Sequence, residues 1–456
     1  GLRGDDTLRG GLGNDIIDGG QGNDRLEEGP GDDTYLFGPN RGNDWILEYG
    51  TPTQPGGYDR LVFVDGVNQG DVSFYKDAYD DLYVMLDATG AYVRVSNQFE
   101  TGASLIEEFV FSDGSTLSAA AVASLAQVMN FQLDFYGGSG VDVLTGNQYS
   151  NNLDGYGGND MMSGGAGDDH YWVGSSGSPN NVLDIVVENP GEGVDTVYVW
   201  GYSYTLPANV ENMYVLFNEF GRWGYDPMLG EQAHIPRNMV GNELDNVIDA
   251  SRLSIPLTTS VRLDGGAGVD MLIGGRSNNI FVVDNVDDVI IETDASSIDT
   301  VESSISYSLE WNALLENLTL TGSGDIAGTG NDGDNVLNGS TSSGANVLAG
   351  GMGNDTYWIG LGDTVVEAAN AGNDTVMFAA SGTHQLSDYA HVENMTLAHT
   401  AGASGLIGDA SANVLKGNSS DNTLSGGGGN DVLWGMNGHD VLDGGSGEDT
   451  MHGGIG

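Results

Sequence analysis

The sequence predicts an all-β chain, a parallel β-roll or β-helix solenoid of nonapeptide repeats with inserted β excursions and one short helix. Three observations predict it. A nine-residue unit, Gly-Gly-x-Gly-x-Asp-x-U-x with U apolar, runs in tandem, as in GGLGNDIID (10–18) followed at once by GGQGNDRLE (19–27). Between the tandem runs, short segments alternate apolar and polar residues with the period of a half-buried strand. Related segments return along all 456 residues, as a stacked, quasi-one-dimensional array requires.

The unit itself explains the first observation. Glycine tolerates φ > 0, so the Gly-rich half turns tightly and can aim carbonyl oxygens inward. The x-U-x remainder is long enough for a short strand with one side chain inside. Nine residues make a turn and a strand, so eighteen make one coil. The first array runs GLRGDDTLR (1–9), the two copies above, and EGPGDDTYL (28–36). The second runs GGSGVDVLT (137–145), GNQYSNNLD (146–154), GYGGNDMMS (155–163) and GGAGDDHYW (164–172). GGAGVDMLI (265–273) and GGMGNDTYW (350–358) stand alone, and GGGGNDVLW, GMNGHDVLD and GGSGEDTMH fill 426–452. A weaker form puts Asn at place six: GNELDNVID (241–249), GNDGDNVLN (330–338), GDASANVLK (408–416) and GNSSDNTLS (417–425).

A longer repeat joins the arrays. DWILE (44–48), DIVVE (184–188), DVIIE (288–292) and DTVVE (363–367) are followed by VDTV, IDTV or NDTV, and then by VENMYV (210–215), LENLTL (315–320) or VENMTL (392–397). All read as strands. Their Asp and Glu are read as turn caps and backbone hydrogen-bond acceptors in preference to metal ligands. Residues 59–118 alternate well and read as an antiparallel or bent β excursion, and LSAAAVASLAQVMN (117–130) is the one credible helix. A longer excursion with Trp200, Trp223, Pro227 and Pro236 spans 198–240, and a short polar one spans 250–262. These features predict segments at 1–58, 59–136, 137–264, 265–349, 350–407 and 408–456.

Composition narrows the chemistry. Lys+Arg 13 against Asp+Glu 66 leaves a formal net charge of −53. That acidity excludes a nucleic-acid partner, which needs a basic surface, and it opposes compaction unless cations neutralise it. With no Cys, neither a disulfide nor a thiolate metal site is possible. No apolar run is long enough to span a bilayer. The turn carbonyls and the place-six Asp are hard oxygen donors, which suit Ca²⁺ with its six to eight flexible ligands.

The arrays resemble the RTX (repeats in toxin) sequences of secreted Gram-negative proteins. The connecting repeat resembles RTX-associated sequence, and residues 59–118 resemble the haemolysin-type calcium-binding associated domain. The resemblance implies Ca²⁺ held between coils by place-six carboxylates and early-glycine carbonyls. It pairs Asp6 with Asp24, Asp15 with Asp33, Asp142 with Asp160, and Asp431 with Asp449. Asp169 and Asp440 pair with the neutral Asn151 and Asn422, and Asn413 with Asp431, so those sites are expected to be weaker or empty. Asp270 and Asp355 are the ligands of the isolated copies. The implied carbonyls belong to Gly11, Gly13, Gly20, Gly22, Gly138, Gly140, Gly165, Gly167, Gly427, Gly429, Gly445 and Gly447.

The resemblance also implies an extracellular location, at or beyond a bacterial cell surface, and type I secretion. Two roles follow from it. One is a rigid structural solenoid, as in an adhesin, surface layer or surface filament. The other is the folding and secretion module of a larger enzyme or toxin. No HExxH zinc motif and no G-x-S-x-G elbow occurs, so catalysis is not expected of these residues. Both ends cut through a nonapeptide, which predicts either continuation of the chain or head-to-tail assembly into a filament or layer.

Overall fold

Coils of 18 residues are what the spacing of the repeats demands, and the computed structural model contains them. It describes residues 4, 6–27, 29–47, 57–77, 79–99, 106–129, 132–174, 184–200, 203–216, 237–253 and 260–456. In the first array Thr7–Arg9 lies parallel to Arg25–Glu27, with Thr7 opposite Arg25, one coil of 18 later. Ile16–Asp18 pairs in the same way with Thr34–Phe37 on the other wall of the roll. Successive strands therefore alternate between two parallel walls, and each place-eight side chain points between them. Ile17, Leu26 and Tyr35 are buried there, as are Leu415, Leu424 and Leu433 in the last array. Burying each such side chain contributes roughly 1.5–3 kcal/mol.

The chain divides into two compact units, residues 1–202 with 206–226, and 203–205 with 227–456. In the first, Asp44–Leu47 and Tyr92–Val95 continue one wall, while Asp59–Phe63 and Ile106–Val110 continue the other. Val72–Lys76, Leu82–Leu86 and Tyr92–Val95 form an antiparallel meander. Residues 59–118 are thus only partly an excursion, because three of their strands are solenoid rungs in parallel register. The same unit continues through Asp134–Tyr136, Asn152–Asp154, His170–Val173, Thr196–Trp200 and Asn212–Leu216. In the second unit, one long parallel sheet runs from Tyr204–Thr205 through Arg237–Asn242 to Thr450–His452. VDTV, VENMYV, LENLTL and their relatives are all rungs of these sheets.

Two expectations need correction. The helix is Ala119–Leu125, shorter than 117–130. Ser118 caps it through the Ala121 N–H, and both flanks are strand: Thr116–Ser118 pairs with Ile106–Val110, and Gln127–Val128 with Val72–Lys76. Edge pairing outcompetes helix propensity there, and Val122 alone of the helix is buried, in the roll core. The segment 250–262 is not wholly an excursion, since Ser260–Gly266 is a rung in register with Asn278–Val283. Residues 254–259 lie outside the described residues, as do 217–236 with Trp223, Pro227 and Pro236. Among the described residues, no helix is long and apolar enough to cross a membrane.

Candidate metal centre

The place-six aspartates form a ladder along the turn edge. Those that follow another coil each offer one carboxylate oxygen to the backbone N–H of the place-six residue one coil earlier. Asp24 accepts from Asp6 at 2.7 Å, Asp33 from Asp15 at 2.6 Å, Asp160 from Asp142 at 2.8 Å and Asp449 from Asp431 at 3.0 Å. Asp169, Asp270, Asp355, Asp431 and Asp440 accept in the same way from Asn151, Asn246, Asn335, Asn413 and Asn422. Every pair read from the sequence is present, joined through a backbone donor.

The second carboxylate oxygen is the informative one. The Oδ2 atoms of Asp15, Asp33, Asp160, Asp169, Asp355, Asp431 and Asp440 are buried and accept no hydrogen bond from the described residues. Except for Asp33, whose repeat opens on Glu28, each sits over the place-one glycine of its own repeat. A Cβ on Gly426 would lie 2.3 Å from Asp431 Oδ2 and 2.6 Å from the Gly444 carbonyl oxygen, and a Cβ on Gly164 would lie 2.0 Å from Asp169 Oδ2. Place one is glycine because a carboxylate and a carbonyl converge there. The early-glycine carbonyls line the same edge: the oxygens of Gly427 and Gly429 come within 2.1 and 1.7 Å of where Cβ atoms on Gly445 and Gly447 would be. Asp6, Asp142 and Asp449 are less buried, at the ends of their arrays.

Burial also perturbs the acids. Desolvation pushes the carboxyls of Asp160 and Asp431 up, those of Asp270 and Asp355 to about 6, and that of Asp169 to about 9. Stranded oxygens in an oxygen-only cradle fit a hard divalent cation, and Ca²⁺ accepts such irregular geometry.

Asparagine at place six behaves differently. The Oδ1 atoms of Asn151, Asn246, Asn335, Asn413 and Asn422 accept the N–H four residues earlier in their own turns, at 2.7–2.9 Å. Nδ2 of Asn335 and of Asn413 donates to the carbonyls of Glu316 and Glu393. These turns close with protein atoms alone. Asp142, counted among the ligands from the sequence, closes its turn in the same manner, accepting the Gly138 N–H at 2.6 Å. Gly138 and Gly140 also lack the positive φ of the other ten glycines named from the sequence.

The model of the RTX calcium-binding nonapeptide repeat matches residues 1–35, 136–171, 262–290, 329–366, 407–442 and 425–456. The chain carries RTX calcium-binding repeats. Residues 81–121 match the haemolysin-type calcium binding protein related domain, all but the last three of them within the 59–118 segment that resembles it. One relative is the Endo-1,3-1,4-beta-glycanase ExsH of Rhizobium meliloti (strain 1021), 35% identical over 124 residues, which are 25% of this chain and 22% of that protein. The match spans less than a quarter of that relative's length.

The RTX ladder extends beyond the residues read from the sequence. Asp44, Asp59, Asp184, Asp195, Asp288 and Asp374 take the acceptor role for Asp24, Asp33, Asp160, Asp169, Asp270 and Asp355. In the V-E-N and L-E-N segments, Glu211, Glu316 and Glu393 do so for Asp195, Asp299 and Asp374, the backbone role assigned to them. The signal for the added aspartates was in the sequence: each stands at or just before the start of a short strand with apolar residues. Insertions, however, vary the coil length.

Proposed function

We propose that the RTX chain is an extracellular structural solenoid whose rigidity depends on Ca²⁺ held along the turn edge by the place-six aspartates and glycine carbonyls. The observation that carries this reading is the row of buried Oδ2 atoms that no protein donor meets. Without cations, these charges and the net −53 oppose folding. With Ca²⁺ bound, they become the adhesive between coils. Affinity per nonapeptide site is expected at roughly 10⁻⁴ to 10⁻³ M, as in extracellular modules. The asparagine turns hold no ion, and none of these residues is assigned a catalytic role. Stacking of copies end to end into a filament or layer belongs to the same reading, and electron microscopy at millimolar Ca²⁺, with and without EGTA, tests it.

Circular dichroism tests the core of the proposal. Added Ca²⁺ should build β-structure from an expanded EGTA-treated chain. A β spectrum that is the same in chelator and in millimolar Ca²⁺ would refute it. The match to part of a glycanase supports a second role for the same fold, the calcium-dependent folding and secretion module of a larger exported enzyme. Export of a passenger fused ahead of residue 1 by a type I system separates the two.

A further inference from the structure

The connecting repeat places a glutamate where the nonapeptide has its first glycine. Met162 lies opposite Val186, which sets Glu188 over Gly164 one coil later. Ala349 opposite Val366 sets Glu367 over Gly350, and Ile273 opposite Ile291 sets Glu292 over Gly274. Place one is the cradle beside the aspartate Oδ2, so a glutamate there brings a further carboxylate into it.

In two of the three coils the outcome is a cluster of carboxylates. Single ligand oxygens of Asp169, Glu188 and Asp195 lie within 4.8 Å of one another, and so do those of Asp355, Glu367 and Asp374. Asp169 is 0% exposed, Glu188 7% and Asp195 1%. Glu188 Oε1 accepts from the Tyr171 hydroxyl and the Gly164 N–H, and Tyr357 donates likewise to Glu367 Oε1. Glu367 Oε2 accepts the Ala368 N–H at 3.2 Å, but among the described residues Asp169 Oδ2, Glu188 Oε2 and Asp195 Oδ2 meet no donor, nor do Asp355 Oδ2 and Asp374 Oδ2. Among the described residues, no Lys or Arg is ion-paired to any of the six. A buried charge of this kind is stable only when paired or bound to metal.

The third coil is the internal comparison. There Asn279 stands in place of the aspartate and Phe281 in place of the tyrosine. Asn279 Nδ2 donates to Glu292 Oε2 at 3.0 Å and to the carbonyls of Gly275 and Ser277. Glu292 Oε1 accepts the N–H groups of Thr293 and Asp294, and Asp299 Oδ2 accepts from Ser297 Oγ. Protein atoms satisfy every carboxylate there. The aspartate and the tyrosine are replaced together, and the stranded oxygens vanish with them.

We infer that Asp169–Glu188–Asp195 and Asp355–Glu367–Asp374 are two tricarboxylate sites, each binding one Ca²⁺ ion with the glutamate as third anionic ligand, and that the Asn279–Glu292–Asp299 coil binds none. This rests on the reading of the nonapeptide aspartates as calcium ligands and adds to it a class of tighter sites. A third anionic ligand is expected to tighten binding about tenfold over the two-carboxylate turns, since ligand charge sets affinity in calcium loops.

Equilibrium dialysis with radioactive Ca²⁺ on the whole chain counts ions at each free concentration, and terbium luminescence sensitised by the neighbouring Tyr171, Trp172, Tyr357 and Trp358 reports these two sites directly. Glu188→Gln and Glu367→Gln should each weaken one tight ion about tenfold or remove it, the double variant should affect both, and Glu292→Gln should change neither count nor affinity. The double substitution Asn279→Asp with Phe281→Tyr should create a third tight site. It decides the matter even if a glutamine variant fails to fold. Unchanged tight binding in Glu188→Gln and Glu367→Gln, or no ion gained at 279, overturns the inference while leaving the nonapeptide sites standing. Wild type that binds no Ca²⁺ at millimolar concentration overturns the underlying reading instead.

Discussion

Asp431→Asn converts a calcium rung of the last array into the kind of turn that Asn413 and Asn422 already form. The carboxylate it removes is 1% exposed, with Oδ1 on the Asn413 N–H at 2.8 Å and Oδ2 stranded over Gly426. The amide can close its own turn as Asn413 and Asn422 do, with Oδ1 accepting the N–H four residues earlier. Two effects of opposite sign follow. At low Ca²⁺, removing a stranded buried charge should stabilise the array by about 1–3 kcal/mol. As Ca²⁺ rises, the wild type gains RT ln(1 + [Ca²⁺]/Kd) from this site and the variant does not. With Kd about 10⁻⁴ M, raising Ca²⁺ from about 0.1 to 10 mM adds about 2.3 kcal/mol per site. The two stability curves should therefore converge or cross within that range. Urea denaturation followed by circular dichroism at stepped Ca²⁺ measures both. A variant as calcium-responsive as the wild type, or one already less stable at 0.1 mM, would refute the reasoning.

Acidity should mimic calcium. In the metal-free protein, burial lifts the carboxyls of Asp169 and Asp195 to about 9, Glu188 to about 7 and Asp355 to about 6, against ordinary values of 3.8 and 4.5. Groups with raised folded values stabilise fully below about pH 4 and lose that contribution as pH climbs to about 9. In chelator, β-structure should therefore increase from pH 8 to pH 5, whereas in saturating Ca²⁺ the trend should flatten, because the ion displaces those protons. More β-structure at pH 8 than at pH 5 in chelator would contradict it. Gly429→Ala should destabilise the last array at any Ca²⁺ concentration, since its φ is +98° and the new Cβ would lie 2.4 Å from the Ser411 carbonyl oxygen. A cost of about 1–3 kcal/mol in urea midpoints is expected, with Gly70→Ala, which meets nothing within 4 Å, as the silent control.

What the sequence made legible is what repeats at fixed spacing. Coil length, the inward place-eight residue and the partnership of Asp15 with Asp33 all follow from counting nine. The distinction between Asp and Asn turns was also readable, because only one of them carries a charge. The tricarboxylate clusters were not. Glu188 stands 19 positions after Asp169 but Glu367 only 12 after Asp355, so no constant interval announces them, and the glutamates were read as hydrogen-bonding the backbone. That reading was incomplete, since Glu188 does accept the Gly164 N–H with one oxygen while the other is stranded. The helix boundary was lost to strand pairing at both flanks, an effect of partners dozens of residues away. Asp142 looks like every other place-six aspartate in sequence, yet as the first of its array it turns back on Gly138.

The ladder of carboxylates has a grain. Apart from Asp142, which opens its array, the rungs from Asp24 to Asp449 reach back to grip the amide of the coil before them. Each coil is therefore secured by its successor. Damage to one acid loosens the coil on its N-terminal side, whose amide is orphaned, and spares the one that follows, whose own carboxylate still holds its place. Faults within a run of such coils travel in one direction, toward the N-terminus. A coil with an asparagine rung, whose turn closes on its own atoms, is where that travel stops.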